Sequence, residues 1–184
     1  MEVTYLLEKE DLLESQLYFS SKSKIIKKKR VLNRTLIPIF YVLFGIYYYF
    51  RLGAVKGIKV MILLAVIAIL WYILFPFYDR RAIKKSILKW IDENYKNRIK
   101  KVVTISLDGD ALKIESDGEN GSIKISEIEA IEEIKMHIYI KIKTGSSIIL
   151  PKDRIGIERI EEFIKVLEEK TGLKTIKKLE WKWQ

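Results

Sequence analysis

Cysteine is absent from this chain of 184 residues, and histidine occurs once, at His137. Without thiols, a disulfide, a cysteine nucleophile and a cysteine-based zinc site are all excluded. His137 falls on the polar side of an alternating segment, which predicts a solvent-exposed side chain rather than a metal ligand. Glycine-rich phosphate loops and nucleophile elbows are also missing, so we expect a protein without cofactor or metal that is not an enzyme.

Acidic residues are scarce where basic residues are dense, and this distribution indicates the class of protein. The formal net charge is +10, yet residues 100–170 hold twelve bases and fifteen acids. The basic excess lies around two apolar runs, and residues 22–34 alone carry seven bases and no acid. A basic excess that brackets apolar segments indicates a membrane protein, and we expect no nucleic-acid partner.

Charge is also absent from those two apolar runs, which predict a two-helix transmembrane hairpin over residues 35–78. Val60–Tyr78 has 19 residues without a charge, enough to cross a hydrocarbon core of about 30 Å at about 1.5 Å per residue. The alternative for this run is a buried core helix. Thr35–Phe50 has 16 uncharged residues and becomes a span of residues 35–52 if Arg51 extends to the interface; otherwise it is a re-entrant or interfacial helix.

The bases around the two runs predict an orientation. Seven bases precede the first run in residues 22–34, five follow the second in residues 80–89, and the connecting loop at residues 51–59 has three. The positive-inside rule therefore places both flanks and both termini in the cytoplasm of a multi-pass cell-membrane protein. The lipid bilayer is thus the first partner that the sequence predicts.

Residues 79–99 follow the second run with the apolar spacing of a helix. Arg81, Lys85 and Lys89 form one i, i+4 row, and we expect this basic juxtamembrane helix to contact anionic lipid headgroups. The alternative is a helix that only continues the span into water.

Residues 1–34 precede the first run and predict a strand, a helix and the polybasic flank. The strand pattern is an alternation at Glu2–Leu7. Because a lone strand is unstable, we expect Glu2–Leu7 to pair with the sheet that follows the apolar runs.

Residues 100–184 change to an apolar period of two, which predicts an α+β cytoplasmic domain. Short alternating runs separated by Asp-Gly and Thr-Gly pairs indicate an antiparallel meander, and Ile134–Lys143 is its clearest strand. Pro151 ends the last strand because proline donates no backbone hydrogen bond. A helix with one apolar stripe begins near Ile157, stops before Gly172, and can close the open side of a small curved sheet.

Two stretches carry a resemblance to a known family. The segment "IILPKDR" at residues 148–154 ends the meander, and "VTYLLEKEDLLESQLYFSS" at residues 3–21 gives a strand followed by an acidic helix. Together with the membrane hairpin and its polybasic exit, they make the chain similar to the YcxB-like proteins of bacteria. Pro151 and Lys152 match that family's corner, whereas Asp153 departs from it. The resemblance implies a pleckstrin-homology-like (PH-like) cytoplasmic domain of unestablished biochemical role, in which the meander forms a small barrel closed by the C-terminal helix.

Two functions of different classes remain open for the cytoplasmic domain. The first is a membrane-anchored binding or scaffold module for an unknown protein or peptide partner. The second is a domain that senses lipid headgroups. Its anion site would combine Lys152 and Arg154 at the corner with Lys141 and Lys143 on the preceding strand; ordinary surface charge is the alternative for all four. The basic tail carries Trp181 and Trp183, which either pack on the domain or settle among the headgroups.

Overall fold

The structure is a computed structural model that describes residues 1–96, 99–116 and 118–183. Parts of three predicted features lie outside the described residues: the end of the juxtamembrane helix at residues 97–98, the turn residue Asp117, and the last tail residue, Gln184. The described residues form two compact units. The first unit contains Met1–Gln16 and Leu88–Trp183, and the second contains Leu17–Ile87.

The first unit contains two four-stranded sheets. Sheet one is antiparallel in the order β1-β2-β3-β4, with bounds Glu2–Leu7, Lys101–Asp108, Ala111–Ser116 and Glu119–Lys124. Sheet two has the order β7-β6-β5-β8, and its strands in chain order are Ile128–Glu133, His137–Ile142, Ser147–Pro151 and Ile176–Lys177. Both sheets and helix α4, Ile157–Thr171, contribute side chains to one apolar core.

The predicted closed barrel is wrong, although the predicted antiparallel strands are present. Among the described residues, β4 and β5 do not pair, so the strands remain in two sheets. The reason lies at Ile125–Glu127, where a single 3-10 turn interrupts the extended backbone between the two sheets. Ile125 is buried and anchors this turn in the protein. The C-terminal helix does cover the core, as its spacing predicted, through Ile160, Phe163, Ile164 and Leu167.

The N-terminal strand belongs to the first unit. β1 pairs with β2 from Glu2 opposite Ser106 to Leu7 opposite Lys101, which confirms the prediction for Glu2–Leu7. Its burial alternates along the strand because one face meets the core and the other meets solvent. Helix α1, Lys9–Lys22, follows β1, and its residues up to Gln16 are part of the same unit. This unit is therefore assembled from chain on both sides of the apolar segment.

The clearest predicted strand is shorter than expected. The alternation predicted one strand over Ile134–Lys143, but β6 begins at His137. Ile134 N donates to His137 O at 2.9 Å in the tight turn that joins β5 to β6, and Met136 in that turn is exposed. Ile134 is buried all the same, so the apolar pattern continued through a turn that it did not reveal.

The corner after β7 has the predicted boundaries. β7 ends at Pro151 and α4 begins at Ile157. Between them lies a four-residue helix, α3, at Lys152–Ile155. α4 ends where Gly172 adopts a left-handed φ of 69°.

Most of the second unit is formed by the apolar helix α2, Lys24–Asn94, which is long and apolar enough to cross a membrane. Gly53, with φ 76° and ψ 167°, is non-helical, so two helical limbs meet there. The predicted loop at residues 51–59 is therefore wrong in extent, since the residues on either side of Gly53 are helical. Glycine is the residue that adopts this φ at little cost, and its neighbours are compatible with a helix.

The two limbs lie against each other where glycines allow it. A Cβ added at Gly57 would lie 2.5 Å from Tyr49 Cα, and one added at Gly45 would lie 3.3 Å from Met61 Cγ. Such close approach of helix backbones is typical of small residues between membrane helices. Most of the apolar surface of α2 is not covered by other parts of the protein, since only 11% of its most apolar 18-residue window is buried.

Candidate functional site

A buried cluster of charged side chains joins α1 to the corner after β7. Asp11, in the first turn of α1, is 1% exposed. Its Oδ1 lies 2.8 Å from His137 Nε2 and accepts a hydrogen bond from Arg154 Nη2 at 3.0 Å, while its Oδ2 accepts one from Arg154 Nη1. Arg154 also donates to the Leu6 carbonyl of β1 at 3.0 Å. One aspartate thus connects α1, β6 and α3, which are far apart in the sequence.

Helix capping orients the Asp11 carboxylate. Its Oδ2 accepts a hydrogen bond at 2.8 Å from the backbone N–H of Glu8, the residue before α1. An acidic side chain at the third helical position commonly returns to the cap residue in this way. This local hydrogen bond therefore helps to orient the carboxylate that the two cations bind.

His137 departs most from the prediction. The alternation predicted a solvent-exposed imidazole, but His137 is 4% exposed. Helix α1 covers this face of β6, and His137 Nδ1 lies 3.1 Å from Glu14 Oε2. The imidazole also stacks on Tyr139, with 5.9 Å between the ring centroids. The predicted exposure is wrong because a second element, distant in sequence, buries the polar face of the strand.

The paired charges shift the pKa of each group. Burial alone would lower the pKa of His137, but the hydrogen bond to Asp11 and the nearby Glu14 carboxylate outweigh it and raise the pKa from 6.5 to about 9. Burial would raise the pKa of Asp11, yet hydrogen bonds from His137 and Arg154 hold it below its ordinary value. The hydrogen bond to Asp11 raises the pKa of Arg154. At neutral pH the cluster is therefore a carboxylate between an imidazolium and a guanidinium.

These charges limit the chemistry that the cluster can perform. An imidazolium with a carboxylate at each nitrogen has no lone pair with which to accept a proton. The positive charge of Arg154 beside Asp11 disfavours binding of a metal cation to the same carboxylate. Among the described residues, no three His, Asp or Glu side chains are arranged to hold a metal ion. The geometry fits an ion-pair network that holds β1 and α1 against the rest of the first unit.

A spacing in α1 could have revealed this network. Glu8, Asp11 and Glu14 recur every three residues and therefore lie on one side of the helix start. Three acids on one side indicate basic partners, and the polar face of β6 and the corner supply His137 and Arg154. Sequence analysis missed the cluster because neither half is unusual by itself.

The two bases predicted as an anion site at the corner are both paired. Lys152 Nζ donates to Glu133 Oε1 at 2.5 Å, and Arg154 is held by Asp11. Each cation is therefore directed at a carboxylate of its own, and the structure does not bring the two together at an open site. Contact with a lipid headgroup stays a prediction for both, but their charges are already balanced within the unit.

The three bases of the predicted juxtamembrane helix lie on α2 at the predicted spacing. Arg81 and Lys85 are exposed. Lys89 is also exposed, and its Nζ lies 3.7 Å from Glu93 Oε1, one turn further along the helix. An exposed pair of this kind contributes little stability, and all three side chains of the row are accessible to solvent. Its contact with anionic headgroups stays a prediction.

The tail begins as part of sheet two. β8 runs parallel to β5, and Lys178 N donates to Glu133 O at 2.7 Å. Trp181 and Trp183 follow and are half-buried. The tail is thus attached to its own domain at β8, and the contact of the two indoles with headgroups stays a prediction.

A cleft of about 770 Å³ opens where β4 ends. Its polar lining residues are Lys124, Ser126 and Asp110 on the side of the sheets and Lys170 on the side of α4. Ile128 and Leu173 add apolar surface. Lys170 Nζ donates to the Gly109 carbonyl at 2.9 Å. The cleft combines cationic, hydroxyl and apolar groups. Sequence analysis did not identify it because its walls come from separate elements.

Comparison with known protein families gives a match over part of the chain. The family model described as YcxB-like protein matches residues 107–167, from the last residues of β2 into α4. Over that segment the chain contains a YcxB-like domain, while β1, α1 and the apolar helix lie outside the match. No curated protein and no solved structure matches the chain.

Proposed function

We propose that the protein is a membrane-anchored binding module, in which a two-helix transmembrane hairpin holds a folded domain at the cytoplasmic surface. The pairing of β1 with β2 carries this proposal. β1 precedes the apolar helix and β2 follows it, so both ends of that helix lie on the same side of any membrane that it enters. An even number of crossings satisfies this condition, and the two limbs that meet at Gly53 supply two.

The flanking charges support the orientation. Seven bases in residues 22–34 and five in residues 80–89 exceed the three in residues 51–59. With both basic flanks in the cytoplasm, the first unit is cytoplasmic and the turn at Gly53 is on the opposite side. Arg30 Nε donates to Asp79 Oδ2 at 2.6 Å, which joins the two limbs near their basic ends.

Reporter fusions test this topology. A reporter after Ser23 and one after residue 184 should both report cytoplasm, and one inserted after Gly53 should report the opposite side. A signal from the opposite side at either of the first two positions would contradict the hairpin and its orientation.

Partner binding is the function proposed for the cytoplasmic domain. The buried cluster has no accessible base or nucleophile, whereas the domain offers a cleft and a sheet edge, which are the features that peptide-binding domains use. The test is selection of displayed random peptides on the full chain in nanodiscs of zwitterionic lipid, with empty nanodiscs for counter-selection. Enrichment on the protein supports binding, and its absence contradicts the proposal.

Sensing of lipid headgroups is the second candidate, favoured by the exposed row of Arg81 and Lys85 and by the basic tail. It predicts that Trp181 and Trp183 report the lipid. In a full chain with Trp71→Phe and Trp90→Phe, their emission should shift to the blue in anionic nanodiscs relative to zwitterionic ones, and raised salt should reverse the shift. Identical spectra in the two lipids would rule out contact by the tail.

A further inference from the structure

The two sheets have four edges, and three of them are protected. On β1, the Leu6 carbonyl is bound by Arg154. On β7, the Ile149 carbonyl accepts a hydrogen bond from the Tyr5 hydroxyl at 2.6 Å. β8 is two residues long. β4 is different, since it has six residues, is mostly exposed, and pairs with β3 on one side only among the described residues. Proteins normally protect an edge of this length, because it pairs readily with another extended chain.

The register shows which backbone groups of β4 face outward. Ile125 N donates to Asp110 O at 2.8 Å, just beyond the pair formed by Lys124 and Ala111. In an antiparallel ladder, hydrogen-bonded and non-hydrogen-bonded positions alternate. Every second residue of β4 therefore directs its N–H and C=O away from β3, and these residues are Asn120, Ser122 and Lys124.

The cleft described above lies at the end of this edge and adds charge to it. Lys124 lines the cleft and has no ion-pair partner among the residues that the structure describes. Lys170 lines the other side, and Lys143 Nζ donates to the Ser126 carbonyl at 2.7 Å. Among the described residues, two lysines, Lys124 and Lys170, thus line a cleft whose lining includes one carboxylate, Asp110. This end of the edge is complementary to a negatively charged chain.

We propose that β4 is the docking strand of the domain, and that an extended acidic segment of a partner protein adds to it as a fifth strand with a carboxylate in the cleft. This inference rests on the proposed partner binding and specifies its site. The exposed N–H and C=O groups supply main-chain hydrogen bonds, and the lysines select for acidic residues.

A second copy of the chain fits this edge less well. In a symmetric antiparallel pair of β4 strands, outward-facing residues meet outward-facing residues. In the pair centred on Ser122, Ser122 would face Ser122 and Lys124 would face Asn120. That pairing joins no opposite charges and leaves the lysines of the cleft unmatched. An acidic partner segment is therefore the favoured occupant.

The test uses a peptide selected by display on the full chain in zwitterionic nanodiscs, then labelled with fluorescein for anisotropy. We expect acidic sequences with alternating β-branched residues. Ser122→Pro removes an outward N–H without breaking the ladder to β3 and should weaken binding about tenfold, whereas Ser122→Ala keeps that N–H and should bind as wild type. Lys124→Glu should also weaken binding, and Lys135→Glu, an exposed lysine away from the cleft, should not.

Hydrogen exchange of the same nanodisc sample provides the readout of location. The bound peptide should slow amide exchange in residues 119–124. If a selected peptide binds wild type, and both Ser122→Pro and Lys124→Glu bind it equally well, β4 is not the docking strand. The proposal that the domain binds a partner would remain. If no peptide is enriched over empty nanodiscs, both proposals fall. A wild-type dimer that Ser122→Pro converts to a monomer would assign the edge to a second copy and overturn the acidic-segment proposal.

Discussion

Replacing His137 by glutamine should remove most of the pH dependence of stability between pH 6.5 and 9.5. The folded-state pKa of His137 is about 9, above its ordinary value of 6.5. A raised pKa stabilises the folded state fully below 6.5, and this stabilisation is lost as the pH rises through 9. Because the chain has one histidine, no other imidazole contributes to this window.

The expected magnitude follows from the difference in pKa. Each pKa unit corresponds to about 1.4 kcal/mol, so the shift of His137 from 6.5 to about 9 corresponds to about 3 kcal/mol. The side chain is almost fully buried, so solvent does not screen this interaction as it would at the surface. Wild type should therefore lose about 3 kcal/mol more than His137→Gln across the window.

Pulse proteolysis of the full chain in nanodiscs, at increasing urea and several pH values, measures the free energy of unfolding for both proteins. Titration of groups that both proteins share, such as the α-amino group and the lysines, cancels when the two free energies of unfolding are subtracted. The reasoning is refuted if the difference between wild type and His137→Gln stays constant from pH 6.5 to 9.5. That result would mean that the imidazole is neutral in the folded protein despite its two carboxylates.

Two further predictions concern the ion-pair network and the helical limbs. Asp11→Ala leaves two cations without their shared carboxylate and should lower the free energy of unfolding by about 3–5 kcal/mol. The control, Asp153→Ala at the exposed corner, should lower it by less than about 1 kcal/mol. Equal losses of the two variants in pulse proteolysis would contradict a structural role for the cluster. Gly45→Cys with Met61→Cys should oxidise to an intramolecular disulfide, because a Cβ at Gly45 lies 3.7 Å from Met61 Cβ and the chain has no other cysteine. Adding Gly57→Leu should lower the yield of that disulfide on a non-reducing gel, and an unchanged yield would show that the limbs do not pack at Gly57.

Much of the fold could be predicted because the responsible forces act locally. Pro151 ends β7 since it donates no ladder hydrogen bond, and the apolar stripe of α4 sets the start of that helix near Ile157. The pairing of Glu2–Leu7 with a later strand followed from the instability of a lone strand. In each case a few neighbouring residues determine the outcome.

The candidate site could not be predicted in the same way. The alternation of β6 gave the correct apolar face, but the burial of His137 depends on α1, and the two partners of the His137–Asp11 pair are 126 residues apart. The corner bases appeared available for anions because their partners, Glu133 and Asp11, lie on other elements. The prediction of a closed barrel was wrong because of the short turn at Ile125–Glu127, which an alternation of apolar residues does not reveal. The errors at His137 and at the corner bases share one cause, which is contact between segments distant in the sequence.

The separation of Asp11 from Arg154, at 143 residues, also orders events during synthesis. At the pace of translation, the carboxylate emerges on the order of ten seconds before its guanidinium partner. In the proposed topology both apolar limbs enter the membrane during that interval, while β1 waits for β2. A nascent chain whose second limb fails to return would leave β1 and β2 on opposite sides, and the domain would never close. In the proposed topology, the domain can therefore be completed only after both limbs have inserted.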